Sequence, residues 1–201
     1  MKSIDWKSTL LLPQQLLDQS CQLSGLASLA LRLYLFPIFW LAGTNKLNHF
    51  NEIVAWFGPN GLDYPLPLLM ASLATTAELA GSVLLLLGLA TRWATIPLMI
   101  TMIVAAVTVH WQHGWQAVHD TMSPWSTAAT GEAMQRLEMA KSLLQEYGNY
   151  QWLTEYGHFI ISNNGIEWAA TYFIMLLSLF FLGGGKYVSM DYWIRKHFMP
   201  E

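Results

Sequence analysis

One cysteine, Cys21, is present among the 201 residues, so the sequence offers no intrachain disulfide and no thiol pair for metal or redox chemistry. A dithiol oxidoreductase is thereby disfavoured. Charge is scarce too: Asp, Glu, Lys and Arg make up 11% of residues, about half the share usual in soluble domains. The net charge is −3 and no long basic run occurs, which leaves no electrostatic footprint for nucleic acid. Internal repeats and low-complexity tracts are missing as well.

What the chain has in place of charge is apolar length. Hydrophobic residues make up 54%, and mean hydropathy is positive. Four windows are long enough to cross about 30 Å of hydrocarbon at about 1.5 Å per residue: Gly25 to Gly43, Tyr64 to Thr91, Trp93 to Trp111 and Trp168 to Gly185. The expected fold is therefore all-α, a four-helix transmembrane bundle in the lipid bilayer. Residues 1–24 form an N-terminal interfacial segment, 25–191 the membrane domain and 192–201 a C-terminal tail. A long external insertion, about 112–165, separates the third and fourth helices. The N-terminal stretch lacks a clean apolar core and a small-residue cleavage site, so it is expected to stay attached. Its leucines at 10, 11, 12, 16, 17 and 23 alternate with polar residues, which suggests a short amphipathic segment, broken or started by Pro13.

Four spans put both termini on one side. Lys2, Lys7, Arg32, Arg92, Lys186, Arg195 and Lys196 then fall on the terminal side, against Lys46, Arg136 and Lys141 on the other. Basic residues favour the cytoplasmic face, so the termini are expected there, in a multi-pass inner-membrane protein. The short connection GLATRW makes spans two and three antiparallel neighbours. Within the insertion, GEAMQRLEMAKSLLQEYG repeats Met134, Leu137, Leu144 and Tyr147 at helical spacing. This helix either lies on the outer leaflet, caps the bundle, or is a solvated linker.

The second window carries one carboxylate, Glu78, inside TTAELAGSVLLLLG. A lone ionised acid near the centre of a membrane helix costs about 2.5 to 3.5 kcal/mol. Ala74, Glu78, Gly81, Leu85 and Gly88 fall on one stripe, rich in small residues, which marks a packing face pointing into the bundle. Arg32, Phe39, Gly43 and Lys46 share a face of the first helix within about 40°. Arg32 lies roughly 9 Å from the inner end and Glu78 roughly 15 Å, counted at the helical rise. The expectation is an Arg32–Glu78 contact, direct or through water. Without it, Glu78 is protonated or lines an aqueous cavity. Such a pair serves either helix register or a proton, quinone or substrate pathway. Lys46 and Glu167 are candidates for a second pair.

Five of the six histidines fall on the outer side. In VHWQHGWQAVHDTM, His110 and His113 are three apart, followed by His119, Asp120 and Met122. Imidazoles at i and i+3 can share copper or zinc, and Met ligates Cu(I). Ordinary interfacial histidines are the alternative. On the fourth window Glu167, Thr171, Ser178 and Gly185 make a polar and small stripe. Tryptophans near the span ends (Trp40, Trp56, Trp93, Trp111, Trp168) read as an aromatic belt.

In order along the chain stand Arg32 and GTNK (Gly43 to Lys46), ELAG (Glu78 to Gly81), GLATR (Gly88 to Arg92), His110, and GGGKYVSMD (Gly183 to Asp191). This ordered set resembles the DoxX family of four-helix membrane proteins. The resemblance implies recurrent positions at Arg32, Gly43, Lys46, Glu78, Gly81, Arg92, His110, Gly183 and Asp191, without saying which act chemically. The long insertion is similar to the HvfX branch, which implies an accessory role in maturing copper-binding, ribosomally made modified peptides. Peptide-modifying enzymes and a Cys-rich precursor peptide are the implied partners. Other DoxX-like proteins imply the alternative, a membrane subunit of quinone-linked oxidation, so copper and quinone are both candidate cofactors. Whether any reaction is catalysed stays open.

Overall fold

The computed structural model describes Gln14 and residues 23–199. The interfacial segment expected for 1–24 therefore lies outside the described residues, apart from Gln14, Leu23 and Ser24. In order, the helices are α1 (Ser24–Asn48), α2 (Phe50–Phe57), α3 (Pro67–Leu87), α4 (Thr91–Val104), α5 (Ala128–Tyr147), α6 (Tyr150–Leu153), α7 (Glu167–Leu182) and α8 (Met190–Phe198). Beyond α4 the chain winds on as a π-helix, Ala105–His110, and a 3₁₀ turn, Trp111–His113. No strand forms among the described residues; Val118 and Ser162 make an isolated antiparallel bridge.

Three of these helical runs are long and apolar enough to cross a membrane: Ser24–Asn48, Pro67–Leu87 and Thr91–His113. The fourth expected span appears as α7, an apolar helix of 16 residues. That length rises roughly 24 Å, short of the ~30 Å hydrocarbon core. The stretch after α1, expected as a loop, contains the two-turn helix α2. Its FNEIVAWF sequence puts Phe57 inward, against Tyr64 and Trp56.

The chain divides into two compact units, one of the described residues up to Thr101 with those from Ile174, the other Met102–Phe173. In the first, α1 and α3 pack antiparallel. The buried positions of α1 (Gly25, Ser28, Arg32, Leu35, Phe39, Gly43) recur every three or four residues, as one helical face requires. Those of α3 (Ala71, Thr75, Glu78, Gly81, Ser82, Leu85) do the same. The expected stripe is thus inside, with Ala71 and Thr75 flanking a half-buried Ala74. Small residues set the helix separation: a Cβ on Gly43 would stand 2.8 Å from Leu79 Cγ, and one on Gly81 2.9 Å from Leu98 Cγ. The opposite faces leave Leu33, Leu41, Leu68, Leu73, Ile100 and Ile103 exposed, as lipid contact demands and water does not.

The second unit is held by backbone pairing between residues 114–119 and 161–167. His119 N–H donates to Ile161 O, Asn163 N–H to Ala117 O, Gly165 N–H to Gln116 O and Glu167 N–H to Trp115 O, all within 2.9–3.1 Å. Helix α5 starts at a capping box in which Thr127 and Thr130 exchange side-chain and backbone bonds. Its inward face is Thr130, Ala133 and Leu137, with Met134 and Leu144 half-buried. Tyr147, expected on that stripe, is 79% exposed.

Gly43→Leu is expected to lower stability by about 1–3 kcal/mol through overpacking, measured as thermal unfolding in detergent. Gly131→Ala on α5, where nothing lies within 4 Å of the new Cβ, is expected to be neutral or stabilising by up to about 1 kcal/mol.

Candidate functional site

Among the described residues of the first unit the buried ionisable side chains are Arg32 and Glu78, and both are bonded, with Arg32 Nε left unpaired. Arg32, with no solvent exposure, donates from Nη1 to Leu85 O at 3.1 Å and Leu86 O at 3.2 Å, and from Nη2 to Val188 O at 2.8 Å. Leu85 and Leu86 belong to the last turn of α3, whose carbonyls lack i+4 partners and carry the negative end of its dipole; Leu85 O also accepts from Gly88 N–H at 3.1 Å. Arg32 therefore caps α3. Gly88 closes the helix in the left-handed region, φ 64°, and its missing Cβ leaves room for the Arg32 guanidinium.

The incoming helix is held by the opposite charge. Asp191 Oδ1 accepts from Ala90 N–H at 2.6 Å and Oδ2 from Thr91 N–H at 2.9 Å, the first unpaired amides of α4. The Asp191 N–H donates in turn to Gly88 O at 3.0 Å. Ser28 Oγ donates to Gly183 O at 2.6 Å, and Arg92 Nη2 to Phe181 O at 3.1 Å, tying the glycine-rich loop to α1 and α4. Arg32, Gly88, Arg92, Gly183 and Asp191 thus assemble around one tight turn, 88–92.

Glu78 is elsewhere on α3 and has a different partner from the one expected. Lys46 Nζ donates to Glu78 Oε1 at 2.8 Å and Oε2 at 2.6 Å, with side-chain exposures of 23% and 6%. The Arg32–Glu78 contact does not form, and the reason is direction. Helical Cα–Cβ bonds tilt toward the helix N-terminus. On α1 that turns Arg32 away from Glu78, toward the carbonyl end of α3. Lys46, in the last turn of α1, is turned back along the helix, while Glu78 on the antiparallel α3 leans the other way to meet it. Counting depth alone misses this.

The second expected pair, Lys46 with Glu167, does not form either: Lys46 is bound to Glu78, and Glu167 Oε2 accepts from Ala117 N–H at 2.9 Å inside its own unit. The histidines are dispersed in their roles. His110 Nδ1 lies 2.7 Å from Asn164 O, His119 Nδ1 lies 3.2 Å from Thr130 Oγ1, and His113 Nε2 lies 3.4 Å from the neighbouring Gln112 amide. Because the helix passes from π to 3₁₀ between His110 and His113, the α-helical face assumed for an i, i+3 pair is not there. Among the described residues no group of three or more His, Cys, Asp or Glu is placed to hold a metal ion. On α5, Glu138 accepts from Lys141 at 2.8 Å and raises the ammonium's pKa.

Comparison with known protein families finds the DoxX model matching residues 27–111. Those residues are a DoxX family domain. The domain takes in α1, α3 and α4 to the start of the 3₁₀ turn, including Arg32, Lys46, Glu78, Arg92 and His110, while Gly183 and Asp191 lie beyond it. No curated protein and no solved structure matches the chain. With its apolar helices, the DoxX domain makes this a membrane protein.

Lys46→Met leaves the Glu78 carboxylate buried and unpaired and is expected to cost about 3 kcal/mol, with at least half recovered when Glu78→Met is added. Equal, additive losses in thermal unfolding would show the two groups to be independent. Asp191→Ala is expected to cost about 1–2 kcal/mol by freeing two helix-start amides, and Asp191→Asn less, by the same measurement.

Proposed function

We propose that this protein is a multi-pass inner-membrane accessory factor for the maturation or handling of a copper-binding modified peptide. In this reading four helices cross the bilayer, both termini are cytoplasmic, and the insertion of about 112–165 faces the other side. The observation that carries it is the insertion itself, a hydrogen-bonded unit with its own 20-residue helix whose exposed side mixes Glu132, Arg136 and Glu138 with Met139, Leu143 and Tyr147. A surface of that size, with charged residues beside exposed Met139, Leu143 and Tyr147, suits docking of peptide-modifying enzymes and a Cys-rich precursor, in the manner of the HvfX-like proteins it resembles.

Among the described residues none forms a donor set that fits a resident copper ion, since His110, His113 and His119 are engaged separately. Copper belongs in this reading to the peptide product. A second reading, a subunit of a quinone-linked oxidoreductase, is favoured by the buried Glu78 carboxylate. Against it, Gly43 abuts Leu79 and Gly81 abuts Leu98 on either side of Glu78, close packing where a quinone ring needs space.

In cells lacking this protein, the precursor peptide is expected to accumulate with an incomplete set of modifications, read by intact mass. Full modification in its absence overturns the accessory role, and quinone reduction by the purified protein with its partners favours the second reading.

A further inference from the structure

A cavity of about 470 Å³ opens beside the 88–92 turn, lined by the start of α4, the Gly183–Gly185 loop and α8. Its wall carries three permanent cations, Arg92, Lys186 and Arg195, and one carboxylate, Asp191. Three positive charges against one negative leave a net of +2. The imbalance is larger than the count, because both Asp191 oxygens are turned onto the Ala90 and Thr91 amides. Lys186 and Arg195 have no acidic partner among the described residues, and Arg92 meets only a backbone carbonyl. Three like charges beside a single carboxylate that is already bonded to backbone amides are complementary to an anion from outside.

The cavity's edge narrows the choice of anion. It lies where α4 begins and α7 ends, at the tips of two apolar helices. Trp93 is 77% and Phe198 74% exposed on its rim, with Leu182 and Ile194 exposed beside them. The floor has little side-chain bulk: the loop is glycine at 183, 184 and 185, and a Cβ on Gly184 would stand 2.7 Å from Ser189 Cβ. Cations above a backbone floor, bordered by exposed aromatic and aliphatic surface, match a phosphate joined to acyl chains.

We propose that this cavity is a binding site for the phosphate of an anionic phospholipid, held by Arg92, Lys186 and Arg195, with the acyl chains lying along Trp93 and Leu182. A soluble phosphate ester shares the headgroup chemistry but makes no use of the apolar rim.

The test uses the full-length protein in a neutral detergent, titrated with phosphatidylglycerol, phosphatidylcholine or glycerol 1-phosphate, and follows thermal unfolding and lipid retention by native mass spectrometry. Phosphatidylglycerol is expected to raise the melting temperature and to be retained over phosphatidylcholine. Each cation removed in Lys186→Gln and Arg195→Gln is expected to weaken it about fivefold, and raised salt to reduce the preference. These two variants leave the Arg92–Phe181 bond intact, so the site is tested apart from folding. Arg136→Gln with Lys141→Gln, on α5, is expected to retain the full response. Equal retention of the two lipids, or a double variant Lys186→Gln/Arg195→Gln that keeps the whole preference, overturns the site. A shift reproduced in full by glycerol 1-phosphate overturns the lipid as the source of the phosphate.

Discussion

Hydrocarbon supplies neither hydrogen-bond partners nor counter-charges, and each ionised group within an apolar helix must be matched by another part of the chain. In this protein the matching is done twice along one pair of antiparallel helices. Near one end of α1, Arg32 is neutralised by carbonyl dipoles at the C-terminus of α3. Near the other, Lys46 meets Glu78. Both contacts follow from the tilt of helical side chains toward their own N-termini, which in an antiparallel pair sends them in opposite directions. The close approach of α1 to α3 at Gly43 brings the partners within reach.

The 88–92 turn gathers the consequences. A cation holds the carbonyls of the helix entering it, and an anion holds the amides of the helix leaving it, each charge placed where the helix dipole favours it. The same arrangement commits the acid Asp191 inward and leaves Arg92, Lys186 and Arg195 outward-facing, so capping and the positive cavity are two sides of one charge distribution.

The helical windows were readable because apolar length is a property of composition, and α1, α3 and the run Thr91–His113 end within five residues of the expected limits. The inward face of α3 was readable from the spacing of Glu78, Gly81 and Leu85. The identity of Glu78's partner was not, since residue counting gives depth and omits side-chain direction. The two-turn helix α2 was hidden by the polar residues around it, and α7 came out shorter than its apolar run because the chain leaves the helix at Gly183, φ 71°. The histidine spacing presumes an α-helix, whereas the chain winds as π and then 3₁₀ over His110 to His113. Asp191 stood out only as part of a motif; its contact with Ala90 spans a sequence separation of 101 that no local pattern encodes.

That separation bears on how the protein is made. Ala90 and Thr91 leave the ribosome a hundred residues before the carboxylate that receives their N–H groups. Until then these two amides have only water to bond with, which keeps the turn at the aqueous boundary while α3 and α4 enter the bilayer. The α3–α4 hairpin is locked only when residue 191 arrives, and a nascent chain stopped short of it has that hairpin in place but unlatched.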